Sequence, residues 1–167
     1  IASHHAELEE LIAAAAKVKA GVVERDEFEM GERRKLNLGH TFAHAIEWEA
    51  HNREQSMGEV NAGVHGISHG EAVAMGMIMA AEASEYYYAD DKSQPVAVHG
   101  IAKKLTEDFR HCGLPVECPY PITTLAEAMK KDKKSENGIV HFILIRAIGD
   151  VRIEDLPVDD VVSWISK

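Results

Sequence analysis

Cysteine is nearly absent. Cys112 and Cys118 are the two in 167 residues, and they provide neither a disulfide framework nor the paired spacing of a zinc ribbon. That scarcity fits a reducing, cytoplasmic setting. Basic charge is also short: 18 Lys and Arg against 28 Asp and Glu leave a formal charge of −10. Such a balance argues against nucleic acid or an anionic membrane as partner unless a local basic patch offsets it. The densest basic run, Lys130-Lys131-Asp132-Lys133-Lys134, is five residues long and contains an acid. Long apolar runs are missing too. The longest, Ala72 to Ala81, has ten residues, too few to span a bilayer. No basic segment followed by a cleavage site suggests secretion, and no internal repeat or low-complexity tract is present.

What remains is the composition of an ordinary globular domain, 46% apolar and 28% charged. Its length suffices for a single domain burying around 70% of its extended surface. The chain starts with Ile1 rather than Met and enters a helical pattern at once, which predicts a piece of a longer polypeptide.

Leu8, Leu11, Ile12, Ala15, Val18 and Val22 recur at helical spacing, predicting a helix from His5 to about Asp26 with Ser3 as its N-cap. Lys19 interrupts that apolar stripe. Either its stem packs while the amine snorkels out, or the stripe borders a cleft where the ammonium meets an anion. Glu24–Gly31 reads as a connection, and Arg33–Glu47 as one helix. Residues 50–68, with Gly58, Gly63 and Gly66 and no sustained period, read as a long loop. His69 opens a helix that is apolar all round and therefore central, where Gly76 allows a neighbouring helix to approach closely. Tyr86-Tyr87-Tyr88 marks its far end as a packing or interface patch. Further helices are expected over Val96–Arg110, from a Thr123 or Thr124 cap to Lys131, and over Pro157–Ile165. Asn137-Gly138 is a turn signal, and Val140–Ile145, Gly149-Asp150 and Val151–Ile153 predict a hairpin. The fold class is mainly α: a helical, bundle-like domain over residues 1–167 with a small β-hairpin.

The chemistry concentrates in Arg33–Glu47. On one continuous helix Arg33, Asn37, His40, His44 and Glu47 would share an arc of roughly 80°. A solvated face is usually written in Lys and Glu; this one offers imidazoles, an amide and a guanidinium, groups suited to a metal and an anion. His40 and His44 are i,i+4 neighbours whose rings reach one small volume. A lone pair of this kind is more often a polar contact plus a surface residue. His69, however, stands at a helix start, where free N–H groups and the dipole favour anions. His51 and His65 read as surface residues.

With these residues in view, KLNLGHTFAHAIE followed by HGEAVAMGM resembles the metal-site signature of the 3-dehydroquinate synthases, in their C-terminal helical domain. The flanks agree: Lys19-Ala20 and Val22-Val23 with Asp26-Glu27 upstream, and Asp132-Lys133-Lys134, Gly138 and a Phe-Ile-Leu strand downstream. The resemblance covers nearly the whole chain. It implies an architecture shared with iron-containing alcohol and glycerol dehydrogenases, which would not carry this LNxGHT wording. It further implies that His40 and His69 ligate Zn2+ (or Co2+). Lys19, Arg33, Asn37, His44 and Lys133 would contact substrate, with His44, Lys19 and Asn37 serving catalysis and His44 holding phosphate and relaying a proton. Glu47 could orient one of the imidazoles.

The implied reaction converts 3-deoxy-D-arabino-heptulosonate 7-phosphate into 3-dehydroquinate and phosphate in the shikimate pathway. It requires NAD, held mainly by an N-terminal domain that this chain does not contain, and a homodimer is expected at full length. Three departures stand out. Ala43 replaces the second Gly of GHTxGH. The 29 positions from His40 to His69 make residues 50–68 an insertion. The family's third ligand, a Glu upstream of the first helix, has no match, so residues 1–167 alone are expected to be inactive. Alternatives are another sugar-phosphate cyclase of the deoxy-inosose or valiolone synthase type, or a non-catalytic metal-binding or interaction module.

Overall fold

The computed structural model describes residues 2–57, 66–89, 99–131 and 138–166, with the side chains of residues 2–6 and 57 outside that description. Lys133, His65 and Asn137 therefore lie outside the described residues. The chain divides into two compact units, residues 1–37 and 38–167.

In the first unit, α1 (Ala2–Arg25) precedes a 3-10 helix (Glu32–Asn37). The helix α1 was expected, and so was burial of its apolar stripe, which the structure does not show. Leu8, Leu11, Ile12 and Val18 are exposed, and among the described side chains of α1 Val22 is the buried one. Periodicity records that one face is apolar, not that the described chain supplies a cover for it. Asp26 organises the turn after α1. Its carboxylate accepts from the backbone N–H groups of Met30 (2.9 Å), Gly31 (2.8 Å) and Arg33 (2.9 Å). Those bonds, Arg33's foremost, hold the Asp26 carboxyl below its ordinary pKa. Arg25 closes the same turn by a two-pronged bond to Glu32 at 2.8 and 2.9 Å.

The second unit is α2 (His40–Met57), α3 (His69–Tyr87), α4 (Ile101–His111), α5 (Ile122–Lys131), β1 (Ile139–Ala147), β2 (Asp150–Pro157) and α6 (Val158–Ile165). Helix α3 is central, packing on α2, α4, α6 and β1. Ala72, Met75, Ile78, Ala81 and Ser84 are all buried along it, as its all-round apolar sequence requires. Phe42 of α2 meets Phe142 of β1 with ring centroids 5.6 Å apart, and both are among the most buried side chains. The hairpin is antiparallel, with Ile139 opposite Pro157 and Ile145 opposite Val151 before an irregularity next to the turn.

Two expected elements differ. The predicted Arg33–Glu47 helix is two pieces, because Gly39 takes φ +79° between the 3-10 helix and α2; a right-handed helix cannot run through that conformation. The predicted 50–68 loop is helical as far as Met57. Smaller shifts follow local caps. Helix α4 starts at Ile101 behind Gly100 (φ +88°), and since glycine brings no side-chain cap, Glu85 of α3 accepts from the Ala102 N–H at 2.9 Å. Thr123 and Thr124 fall inside the first turn of α5 rather than before it.

Among the described residues of the second unit, Ser84 is the polar side chain buried in the core, 1% exposed. Its hydroxyl donates to the Ala80 carbonyl at 2.5 Å and accepts from the Ile145 N–H at 2.8 Å, tying α3 to β1. Replacing it, Ser84→Ala, leaves that N–H buried without its acceptor and should cost about 1–3 kcal/mol. In urea unfolding the midpoint should fall while the slope stays constant; an unmoved midpoint would show that the bond carries no net stability.

Candidate functional site

The site in the second unit is built from two helix starts. Helix α2 begins at His40 and carries His44 and Glu47 one and two turns on. Helix α3 begins at His69, fixed by a capping box: the Ser68 N–H and hydroxyl donate to the Glu71 carboxylate at 2.8 and 2.6 Å, and the Ser68 hydroxyl oxygen accepts from the Glu71 N–H at 3.4 Å. The approach of the two helices depends on Gly76. A Cβ there would lie 2.3 Å from the Gly39 carbonyl oxygen, and one on Gly39 would lie 2.6 Å from the Met77 nitrogen. Backbone therefore rests on backbone directly beneath His40. The Gly76 contact expected from sequence is present, with Gly39 and Ala43 of the facing segment as its partners.

This packing brings three rings together. His40 and His69 have centroids 5.3 Å apart at 67°, His40 and His44 are 5.8 Å apart at 90°, and His44 stacks near His69 at 6.4 Å. The His40 Nδ1 lies 3.3 Å from the Leu38 carbonyl oxygen, and the His69 Nδ1 lies 2.9 Å from Glu47 Oε1. Both partners accept, so each bond places a hydrogen on Nδ1, and in a neutral ring Nε2 then keeps its lone pair.

A zinc–nitrogen bond of about 2.0–2.1 Å puts a ligating ring's centroid about 3 Å from the ion, so two tetrahedral ligands have centroids about 5 Å apart. The His40–His69 pair meets that separation. The His44 pairs are wider. Among the described residues no group of three or more His, Cys, Asp or Glu side chains could hold a metal ion. The pair fits two donors of a larger set and falls short of a complete site.

The remaining sequence candidates sit in the first unit or outside the description. Lys19 is exposed, so neither its stem nor its stripe is buried as expected. Arg33 is half-buried and donates from Nη1 to the Glu27 carbonyl at 2.7 Å, leaving the rest of its guanidinium fork for an anion. Asn37 donates from Nδ2 to Glu29 Oε1 at 2.8 Å, which leaves its Oδ1 as an acceptor. Glu29 was missed by sequence reasoning. Among the described residues it is the non-glycine one with positive φ, +57°, a sparsely populated backbone state of the kind that clusters at functional sites. Nothing in the acid-rich Glu24–Gly31 stretch distinguishes it before the backbone is seen.

Residues 1–135 match the protein family described as "3-dehydroquinate synthase C-terminal". The chain belongs to that family. Similar curated relatives are 3-dehydroquinate synthases. That of Geobacillus kaustophilus (strain HTA426) is 38% identical over 152 residues, covering 90% of this chain and 36% of the relative. That of Pyrococcus abyssi (strain GE5 / Orsay) is 38% identical over 149 residues, covering 89% and 38%. That of Legionella pneumophila (strain Lens) is 40% identical over 159 residues, covering 94% and 38%. The chain thus spans little more than a third of the length of these relatives. A crystal structure of 2-deoxy-scyllo-inosose synthase complexed with carbaglucose-6-phosphate, NAD+ and Co2+ shares the fold, with a TM-score of 0.66, 22% identity and coverage of 96% of this chain and 41% of the other. The family and its architecture are those expected from the paired GHT and HGE motifs.

Proposed function

We propose that this chain is the C-terminal, metal- and substrate-binding domain of a 3-dehydroquinate synthase, which releases phosphate from 3-deoxy-D-arabino-heptulosonate 7-phosphate while forming 3-dehydroquinate. The observation that carries this reading is the family match over residues 1–135, which contains both histidine motifs. The relatives are more than twice as long as this chain, and the structural relative holds NAD+ and Co2+. On that basis NAD belongs mainly to an N-terminal domain, and a divalent metal, zinc by the donor set, to His40 and His69. When bound, the metal would supply Lewis acidity towards substrate hydroxyls and NAD would supply a hydride acceptor.

This chain's residues bind and position. His40 and His69 offer two neutral nitrogens. His44 is exposed, one helical turn from His40, and is suited to hold the phosphate and move a proton. Lys19, Arg33 and Lys133 supply positive charge for phosphate and carboxylate. Asn37, held by Glu29, accepts from a substrate hydroxyl. No helix among the described residues is long and apolar enough to cross a membrane.

The test is phosphate release by the intact protein, loaded with zinc and NAD, from 3-deoxy-D-arabino-heptulosonate 7-phosphate, glucose 6-phosphate and sedoheptulose 7-phosphate in turn. Turnover of the first alone is expected, and none by residues 1–167 on their own. Preference for either of the others would reassign the chain to a different cyclase. Inertness towards all three would leave a metal-binding or interaction module.

A further inference from the structure

His69 differs from His40 in what holds its ring. His40 leans on the Leu38 carbonyl, two residues away and at a long 3.3 Å. His69 reaches across to another helix and meets a carboxylate at 2.9 Å. Glu47 is two turns along α2 from His40, so the helix that carries one ring also carries the group that grips the other. Side-chain exposures of 57% for His69 and 32% for Glu47 rule out a large contribution to stability, because water screens a pair this wet. The consequence of the contact is therefore orientation.

We infer that Glu47 is a positioning residue for the metal site: its carboxylate accepts the Nδ1 hydrogen of His69 and so presents the Nε2 lone pair beside that of His40. The inference rests on the metal reading above and extends it to a residue outside the ligand set. An imidazole without such an acceptor can carry its hydrogen on either nitrogen, and with the hydrogen on Nε2 it cannot donate that atom to a metal. Fixing the tautomer and the ring plane before the ion arrives removes an ordering cost from binding. Since Glu47, His44 and His40 share α2, the orientation of the α3 ligand is set by the same rigid element that sets the other two groups. The Ser68–Glu71 capping box holds the backbone of His69, so ring rotation is the freedom left for Glu47 to remove.

The experiment has two readouts in the intact protein. In the metal-free protein, above the imidazole titration range, a long-range proton–nitrogen correlation spectrum assigns the His69 tautomer. The Nδ1–H form is expected in the wild type and in Glu47→Gln, whose amide oxygen still accepts, and a shift towards Nε2–H in Glu47→Ala. Titration with Co2+ should then show Glu47→Ala weakened about 10–100-fold, Glu47→Gln recovering most of that loss, and the melting temperature unchanged in both. Wild-type His69 in the Nε2–H form would overturn the inference, as would a Glu47→Ala protein that binds Co2+ like the wild type. So would equal loss in Glu47→Gln and Glu47→Ala, which would make Glu47 a ligand. A wild type that binds no Co2+ defeats the metal reading instead, and the tautomer spectrum still decides what Glu47 does.

Discussion

Alanine at His40 or at His69 is expected to abolish stoichiometric zinc in the intact protein, whereas His44→Ala should keep the metal and lose turnover. The separation of roles follows from geometry. His40 and His69 stand 5.3 Å apart, each with Nδ1 engaged, while His44 lies wider of both and has no bond fixing its ring among those described. Site free energies of about 10–16 kcal/mol spread over four ligands imply a loss of affinity of roughly 70- to 900-fold for each imidazole removed. Loss of a general acid–base group costs typically about 10²–10⁴ in rate. Equilibrium dialysis followed by elemental analysis measures the first quantity, and phosphate release the second. Equal zinc loss in all three variants would make His44 a third ligand and refute the division.

Gly76→Ala should be the most destabilising single-methyl change in the second unit. The added Cβ would sit 2.3 Å from the Gly39 carbonyl oxygen, 3.1 Å from the Ala43 nitrogen and 3.2 Å from the Gly39 carbonyl carbon. All three are backbone atoms, and none can swing aside as a side chain would. The Gly39 oxygen also accepts the Ala43 N–H at 3.0 Å, the first bond of α2. Relief therefore requires α2 to move away from α3, and His40 is the first residue to move with it. Overpacking of this kind costs about 1–3 kcal/mol and occasionally more, a drop in melting temperature of about 2–4 °C for each kcal/mol in a chain of this size. Gly70, in the first turn of the same helix, has nothing within 4 Å of its would-be Cβ. Gly70→Ala should be neutral or slightly stabilising, since alanine is the better helix former. Equal effects at the two glycines would mean that helix propensity, not the contact of α2 with α3, sets the response.

Much of the architecture was written locally. An apolar run with no polar face, Ala72–Ala81, can only be a central helix, and α3 is one. Alternation and turn residues predicted the hairpin because strand and turn preferences act over a few neighbours. Its observed strands, Ile139–Ala147 and Asp150–Pro157, are longer than the pattern alone indicated. The convergence of His40, His44 and His69 was legible because two of them share a helix face and the third belongs to a paired motif.

Other features depended on atoms far apart in the chain. The helical period runs through Gly39 without a break. What sets the chain's path there is the left-handed turn and the bare backbone of Gly76, 37 residues later. Sequence spacing put Arg33 and Asn37 on the His40 face; the turn at Gly39 gives them an element of their own, where Glu29 holds Asn37. Glu47 was legible as an acceptor for an imidazole, but that it serves His69 is a fact of how α2 meets α3. Nothing in the sequence marks Ser84, since the Ile145 N–H that needs its hydroxyl lies 61 residues away. The sequence by itself determined most of the segments that fold into helices and strands and which residues are candidates for the chemistry, because propensity and periodicity are properties of near neighbours. The tertiary structure alone decided which carboxylate holds the His69 ring and where a helix must break, because those outcomes depend on contacts between atoms that only packing brings together.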